Sequence, residues 1–561
     1  MKPKIFLAFA IGLASILTSC EKDFLEVTPT DRLSDEAIIG DSVLFEAFVI
    51  NRYLGVRQID KEGDGNAPGF GRGWEYALWS SITDESIYRS DDNTWLIQRG
   101  QLSPENTGIA GALWGRSYRG IREVNYALAN IDRVEMSQSH KNLLIAELRF
   151  IRAFRYHDLI RNYGRVVLLG DRVTELGNDF SDQSLYERAS IQESIDYVVH
   201  ELNEAAGVLP LNHRSSWEKG RATQGAALAL KSRLLLYAAS PLYKENGTAV
   251  TWQQAADAAR DVMELNKYSL HPDYASLFID EEGNSDEIIF ARYYNLNSRH
   301  TALEIANGPN GYDGWGGNTP LQNLVDVYML DNGKSIDDPT SGYDPQNPYV
   351  NRDPRFYATI LYNGAEYRGR EVETFRPGGR DSQDGPSSWN TSQTGYYLRK
   401  FMDDENPIQN PWNVAGRQPW IYFRYAEILL NYAEARNEAV GPDATVYEAI
   451  NTIRQRPSVE MPRLPEGLSQ DQMRELIRRE RQVELAFEEH RFYDVRRWLI
   501  AEETENEPAY GVQINKQGNQ LVHSRKIALE GRSFEPKHYW LPIPRSEIQA
   551  SGNRLEQNPG Y

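Results

Sequence analysis

Apolar residues recur at spacings of three and four along three separate stretches of the chain, and after a polar break each is followed by a second stretch of the same kind. In the first pair, Leu144, Leu148, Ile151, Phe154, Tyr156 and Leu159 form a stripe within 143–161, and Ile195, Val198, Val199 and Leu202 form its partner within 191–206. The second pair opens on Gly225-Ala226-Ala227-Leu228-Ala229-Leu230 and continues through Leu234, Tyr237 and Ala238 to a stop at Pro241. It is answered by Trp252, Ala255, Ala256, Ala259, Val262 and Leu265. The third runs through Tyr425, Ile428, Leu429, Tyr432 and Ala435, then Tyr447, Ala449, Ile450 and Ile453 before Pro457. Each stripe predicts an amphipathic helix, and the small residues predict that the paired helices approach closely.

Stacked helix pairs bury a continuous core that no single pair can bury alone, so the pattern is similar to tetratricopeptide architecture, with long insertions breaking its regular period of about 34 residues. Between 283 and 418 the character changes to clusters of Gly, Pro, Asn, Asp and aromatics, as in the run from Asn307 to Asn318, which are turn signals. Within it, the alternation of Glu287 to Tyr294 and of Arg355 to Leu361 predicts short strands. A similar polar stretch, Asp60 to Gly73, interrupts the N-terminal helices. The expected fold class is mostly α: a tetratricopeptide-like scaffold of helix pairs with a loop-rich, irregular second subdomain carrying a few short strands. The expected organisation is a leader at 1–19, an N-terminal helical scaffold at 20–282, the loop-rich insertion at 283–418 and a C-terminal helical part at 419–561.

The leader reads as a signal peptide: Lys2 and Lys4, an apolar core from Ile5 to Leu17, the small Ser19, then Cys20, the only cysteine in the chain. Its core is too short for a bilayer span, which needs about 20 residues. Leu17-Thr18-Ser19-Cys20 resembles the bacterial lipobox, which implies that Cys20 becomes an acylated N-terminus. Each buried acyl methylene adds about 0.8 kcal/mol, so two or three chains hold durably where one does not. Without a second cysteine the folded body is stabilised by packing alone. Loss of Lys2 and Lys4 moves the formal charge from −19 to −21, which disfavours nucleic acid or an anionic membrane face as partner. The 12 Trp, 32 Tyr and 18 Phe supply flat apolar faces, many with a polar edge, suited to sugars, peptides or protein interfaces.

Catalytic and metal signatures are weak. Asp60-x-Glu62-x-Asp64-Gly65 begins like a calcium loop, but Glu stands at its third position and Gly71 at its twelfth, so no metal is expected there. The nine histidines lack metal-ligand spacing, and there is neither a Walker loop nor a G-x-S-x-G elbow; no cofactor is expected. Asp84-Glu85 is the first carboxylate pair to consider for glycoside hydrolysis, although a cap or a structural salt bridge is the commoner use of such a pair. In the charged run from Arg478 to Trp498, opposite charges three and four residues apart predict a helix laced with ion pairs, with Val483, Leu485, Phe487, Phe492 and Trp498 packed inward.

Five blocks in order carry a specific resemblance. They are the lipobox with Cys20-Glu21-Lys22-Asp23-Phe24-Leu25, the segment Ala146-Glu147-Leu148-Arg149-Phe150-Ile151-Arg152-Ala153, Gly220-Arg221-Ala222-Thr223, the run Arg478-Arg479-Glu480-Arg481, and Leu541-Pro542-Ile543-Pro544 with the ending Gln557-Asn558-Pro559-Gly560-Tyr561. Together they resemble the SusD/RagB family along the whole mature chain. The resemblance implies a non-catalytic outer-membrane lipoprotein of Bacteroidetes, anchored through Cys20, that holds an oligosaccharide on its loop face and hands it to a SusC-like TonB-dependent barrel. Glu21-Lys22-Asp23 is similar to the signal that sends such lipoproteins to the outer face of the membrane. A sugar site needs Trp or Tyr faces flanked by amide and charged groups, and two segments supply that mixture near the positions where starch-binding relatives carry theirs. The candidates are Trp95, Trp315, Tyr294 and Asn93, followed by Arg72, Trp74 and Tyr312; the Gly-rich setting of Trp315 leaves few large neighbours to bury it. Oligopeptide capture beside a peptide importer, or a surface glycoside hydrolase, are the alternatives.

Overall fold

The predicted helix pairs form and stack in chain order. In the computed structural model, which describes residues 35–53, 77–91, 93–111, 113–174, 179–294, 303–406, 408 and 416–561, the long helices are α1 (Leu113–Asn130), α2 (Gln138–Tyr163), α3 (Ile191–Ala206), α4 (Gln224–Ala239), α5 (Trp252–Met263), α6 (Tyr425–Val440), α7 (Ala444–Arg454) and α8 (Gln470–Glu484). The leader with Cys20, the Asp60 loop, Arg72 and Trp74 lie outside the described residues. Local chemistry sets the helix starts. Ser190 with Glu193, Thr251 with Gln254 and Ser469 with Gln472 form reciprocal capping boxes on α3, α5 and α8, and Thr223 accepts from the Ala226 N–H to cap α4. The stack then runs α1 on α2, α2 on α3, α3 on α4, α4 on α5, α5 on α6, and α6 on both α7 and α8. Buried Ala226, Ala227, Ala229, Ala255, Ala256, Ala258 and Ala259 bring α4 and α5 close together. Among the described residues no helix is long and apolar enough to cross a membrane.

Helices α5 and α6 touch although the loop-rich region lies between them in sequence. The chain leaves the stack through β2 (Ile288–Arg292) and re-enters through β8 (Trp420–Arg424), and these two strands pair antiparallel, so the excursion starts and ends at one ladder. The other short ladders pair β1 (Ser86–Tyr88) with β3 (Asn318–Pro320), β4 (Ile360–Leu361) with β7 (Tyr397–Leu398), β5 (Glu366–Tyr367) with β6 (Arg370–Glu371), and β9 (Ala509–Gln517) with β10 (Gln520–Leu529). The strand expected from Arg355 to Leu361 is mostly helix: the Asp353 side chain accepts from the Arg355 N–H at 3.0 Å and Pro354 occupies the first helical position, so 354–359 coil and only Ile360–Leu361 extend.

The charged run also differs from its sequence pattern. α8 ends at Glu484, Phe487 and Glu489 adopt left-handed backbone (φ 63° and 65°), and a new helix, α9, spans Arg491–Arg497. The apolar residues of the run are buried as expected; Arg497 pairs with Asp494 and Arg478 with Glu475 along a helix, but most ion pairs of the run reach across elements. Glu484 meets Arg424 and Arg456 at 2.8 Å each and Arg355 at 2.9 Å; Glu287 meets Arg424 at 2.8 Å and Arg456 at 2.7 Å; Arg491 meets Asp84 at 2.7 Å. Burial would push the Glu484 carboxyl up, but the guanidiniums of Arg456, Arg424 and Arg355 outweigh it and hold the group well below the usual carboxylate range. Two of the family-like blocks meet in the same way, Arg221 pairing with Glu147 at 2.6 Å, while Asn558 near the C-terminus donates to the carbonyls of Tyr163 and Leu541.

Candidate functional site

The β1–β3 ladder joins the two segments singled out from the sequence. Tyr88 pairs with Asn318 and the Arg89 N–H continues the ladder onto the Gly317 carbonyl at 2.8 Å, so the segment carrying Asn93 and Trp95 is joined to the segment carrying Tyr312 and Trp315. Asp91 and Asn93 are left-handed (φ 67° and 63°), a conformation that short polar side chains tolerate, and the Asp91 carboxylate accepts the Trp95 N–H at 2.9 Å. Trp95 is half-buried; its indole N–H donates to the Tyr88 carbonyl at 2.9 Å and Arg99 sits 5.2 Å from the ring centre. Asn93 is exposed.

Trp315 is half-buried on a tightly wound loop. Its N–H donates to the Ile305 carbonyl at 2.7 Å and the Gly317 N–H to Ala306 at 2.7 Å, which pins the loop to the short helix 303–307. A Cβ on Gly314 would stand 2.1 Å from the Gly308 carbonyl oxygen, so only glycine lets the loop close on itself. Tyr312 serves as its anchor: the hydroxyl donates to the carbonyls of Tyr367 (2.7 Å) and Arg370 (3.1 Å), and the Arg370 guanidinium lies 3.7 Å from the ring centre. Burial pushes that hydroxyl's pKa upward, so it remains a neutral donor. Tyr294 is only 7 % exposed within the core of the loop-rich region and offers a ligand little of its ring.

A third segment, which sequence reasoning missed, completes the face. Trp389 is 70 % exposed, on a single turn of helix at Ser388–Asn390 reached through the left-handed Ser387 (φ 49°). The turn is held from the Trp315 loop. The Asn310 amide donates to the carbonyls of Ser382 (3.2 Å) and Pro386 (2.7 Å), and its oxygen accepts from the Tyr397 hydroxyl at 2.6 Å. Gly316 (φ 60°) packs against this turn so closely that a Cβ there would come within 2.5 Å of the Asn390 carbonyl oxygen. The available signal was local: Gly385-Pro386-Ser387-Ser388-Trp389-Asn390 has the same turn residues around a Trp and an amide as the segment holding Trp315. The Asp84-Glu85 pair lies elsewhere in the chemistry. Asp84 is bound to Arg491, and Glu85 is buried with its pKa pushed up to about 8 by desolvation. Among the described residues no cluster suited to a metal ion occurs.

Stacked helix pairs with an aromatic, turn-rich loop face define a helical-repeat scaffold protein of the tetratricopeptide-like class. The chain belongs to the SusD family: the profile described as "SusD family" matches residues 277–561, and one described as "Starch-binding associating with outer membrane" matches residues 23–236. Its relatives include the SusD-like protein P2 of Formosa agariphila, 25 % identical over 468 residues that cover 82 % of both chains. Similar solved structures include a SusD-like protein of Bacteroides fragilis (30 % identity, TM-score 0.76, covering 95 % of this chain and all of that one). Another is a SusD-like carbohydrate-binding protein of the same organism (28 % identity, TM-score 0.76, covering 93 % and 100 %).

Proposed function

We propose that this chain is a non-catalytic, surface-exposed glycan-binding lipoprotein of the outer membrane, tethered through Cys20, that delivers oligosaccharides to a SusC-like TonB-dependent transporter. The reading is supported by three tryptophans on linked turn-rich segments, none of them fully buried: Trp95 follows β1, β1 pairs with β3 next to Trp315, and Gly316 in the Trp315 loop meets Asn390 beside Trp389, while Asn93 is exposed. Pyranose rings stack C–H bonds on such faces while their hydroxyls bond to amides and charged groups at the edge. A relative described as carbohydrate-binding and a family description that names starch and the outer membrane support the same reading. A hydrolytic role for Asp84-Glu85 is not favoured, because one carboxylate is engaged by Arg491 and the other is buried and neutral.

An open shelf binds weakly, with dissociation constants of about micromolar to millimolar, or roughly −8 to −4 kcal/mol. Affinity electrophoresis against a polysaccharide panel, followed by calorimetry with oligosaccharides of any polymer that retards the protein, tests the reading. Trp389→Ala and Trp315→Ala are expected to weaken binding about tenfold or more while leaving the melting temperature within a degree or two. Release of new reducing ends would mean catalysis; retention of peptides in place of glycans would transfer the reading to oligopeptide capture.

A further inference from the structure

We infer that the glycan carries anionic groups, carboxylate or sulfate ester, and that Arg89 is the residue that recognises them; this rests on the reading of the aromatic face as the ligand site. Arg89 follows β1 directly and lies where the three segments meet. Its N–H bonds to the Gly317 carbonyl, its own carbonyl is approached by the Gln393 amide at 3.5 Å, and its charge lies within electrostatic reach of the Tyr397 hydroxyl. It is half-buried, and its Nε is shielded from solvent without a hydrogen-bond partner.

Among the described residues this guanidinium lacks the carboxylate partner that the arginines of the loop-rich region have, and Arg99 over Trp95 is engaged by the Glu530 carbonyl instead. Arg370 is paired with Asp381 at 2.7 Å, Arg376 with Asp384 at 3.0 Å and Arg380 with Glu373 at 2.8 Å. Among the described residues no carboxylate lies within ion-pair distance of Arg89. The described acidic residues on the three segments are otherwise placed: Asp91 accepts the Trp95 N–H, Asp313 is exposed at the tip of its turn, and Asp384 is held by Arg376. In a chain of formal charge −19, a partly desolvated cation with no counter-ion among the described residues, at the junction of the segments that carry the tryptophans, is suited to an anion brought by the ligand. Guanidinium also matches both candidate groups geometrically, since carboxylate and sulfate oxygens each accept its paired N–H donors.

The test pairs each acidic polysaccharide with its own neutralised form. Pectate, alginate and a glucuronoxylan are compared with their carboxyl-reduced derivatives, and a sulfated galactan with its desulfated derivative, by affinity electrophoresis and then calorimetry at about 50 mM and about 500 mM salt. At least one acidic polymer should bind about tenfold or more tightly than its neutral derivative, and the advantage should shrink at the higher salt. Which derivative loses binding tells uronate from sulfate. Arg89→Gln should remove the advantage and Arg89→Lys retain part of it, with unchanged thermal melts, whereas Trp389→Ala should weaken acidic and neutral forms alike. Equal binding of acidic and neutral forms, or an equal loss for both in Arg89→Gln, would overturn the inference while leaving the glycan site standing. Absence of binding to every polysaccharide would remove the site itself.

Discussion

Glu85 shows how a residue next to the candidate site is governed chiefly by burial, with the Asp84 charge acting in the same direction. It precedes β1, its carbonyl accepts the Leu321 N–H at 2.9 Å, and one of its carboxyl oxygens is buried without a hydrogen-bond partner. Desolvation pushes its pKa from 4.5 to about 8, so the folded protein keeps the proton at neutral pH while the unfolded chain releases it. A group raised in this way contributes stability in full below its unfolded value and loses it as pH rises towards the folded value. The affected window is pH 4.5 to 8. Glu85→Gln keeps the shape and removes the titration. Its advantage over the parent should grow from nearly nothing at pH 3, through about 1 kcal/mol at pH 5, to about 3 kcal/mol at pH 7, at 1.36 kcal/mol per pKa unit. Chemical denaturation at several pH values checks this; a difference independent of pH would mean that Glu85 is ionised in the fold.

At the scale of elements, the face is made by a seam between two loops rather than by any one of them. Gly316 and Asn390 are in backbone contact across it, and Asn310 bridges it with three hydrogen bonds. Gly316→Ala introduces both an unfavourable positive φ and a clash with the Asn390 carbonyl, so the seam must open. Destabilisation of about 1–3 kcal/mol is expected, with a larger proportional loss of glycan affinity than of melting temperature, because Trp315 and Trp389 are moved apart while the helical stack is untouched. Calorimetry of folded Gly316→Ala at low temperature distinguishes the two effects; unaltered affinity would separate the seam from ligand binding.

The helices were legible because their signals are local. The members of a stripe of period 3.6 lie within a few residues of each other, and the stripe survives into the structure, where local caps such as Ser190 with Glu193 start the helix. The Trp315 loop was legible as an irregular, turn-rich segment for the same reason. What was not legible depends on distant partners. Trp389 is brought towards Trp315 by the Gly316–Asn390 approach and by Asn310, whose contacts lie 72 and 76 residues away in sequence. Tyr294 sinks into the core because of what packs over β2, and the charges of 478–498 find partners on β8, in the insertion and beyond α7, where a helical pattern predicts partners one turn away. Periodicity reports which face of an element is apolar and is silent on which element covers it.

For the whole molecule, the deciding structure is the shared ion network at the root of the loop-rich region. Glu287 immediately precedes β2, Arg424 ends β8, Arg456 follows α7, Arg355 belongs to the insertion, and Glu484 closes α8 between them. All five side chains are buried, so their charges are stable only in each other's company. Glu484→Gln leaves three guanidiniums short of a counter-charge in a dry site, and a change of this kind costs about 3–5 kcal/mol. The loss should not be spread evenly. The helical stack retains its alanine-rich packing and its caps, whereas the insertion is tied down at this point, so amides in 303–406 should exchange hydrogen faster than those of α2 to α5. Acid acts through the same group: with its folded pKa depressed, Glu484 stabilises the fold above the ordinary carboxylate value of 4.5, and that contribution disappears as pH falls below it. Hydrogen exchange by mass spectrometry on the parent and on Glu484→Gln at pH 7, and on the parent at falling pH, reads both effects. If the network is the clasp, the two perturbations should open the same segment first. Uniform loosening of stack and insertion would show instead that the two share one cooperative core and that the ion cluster merely fills it.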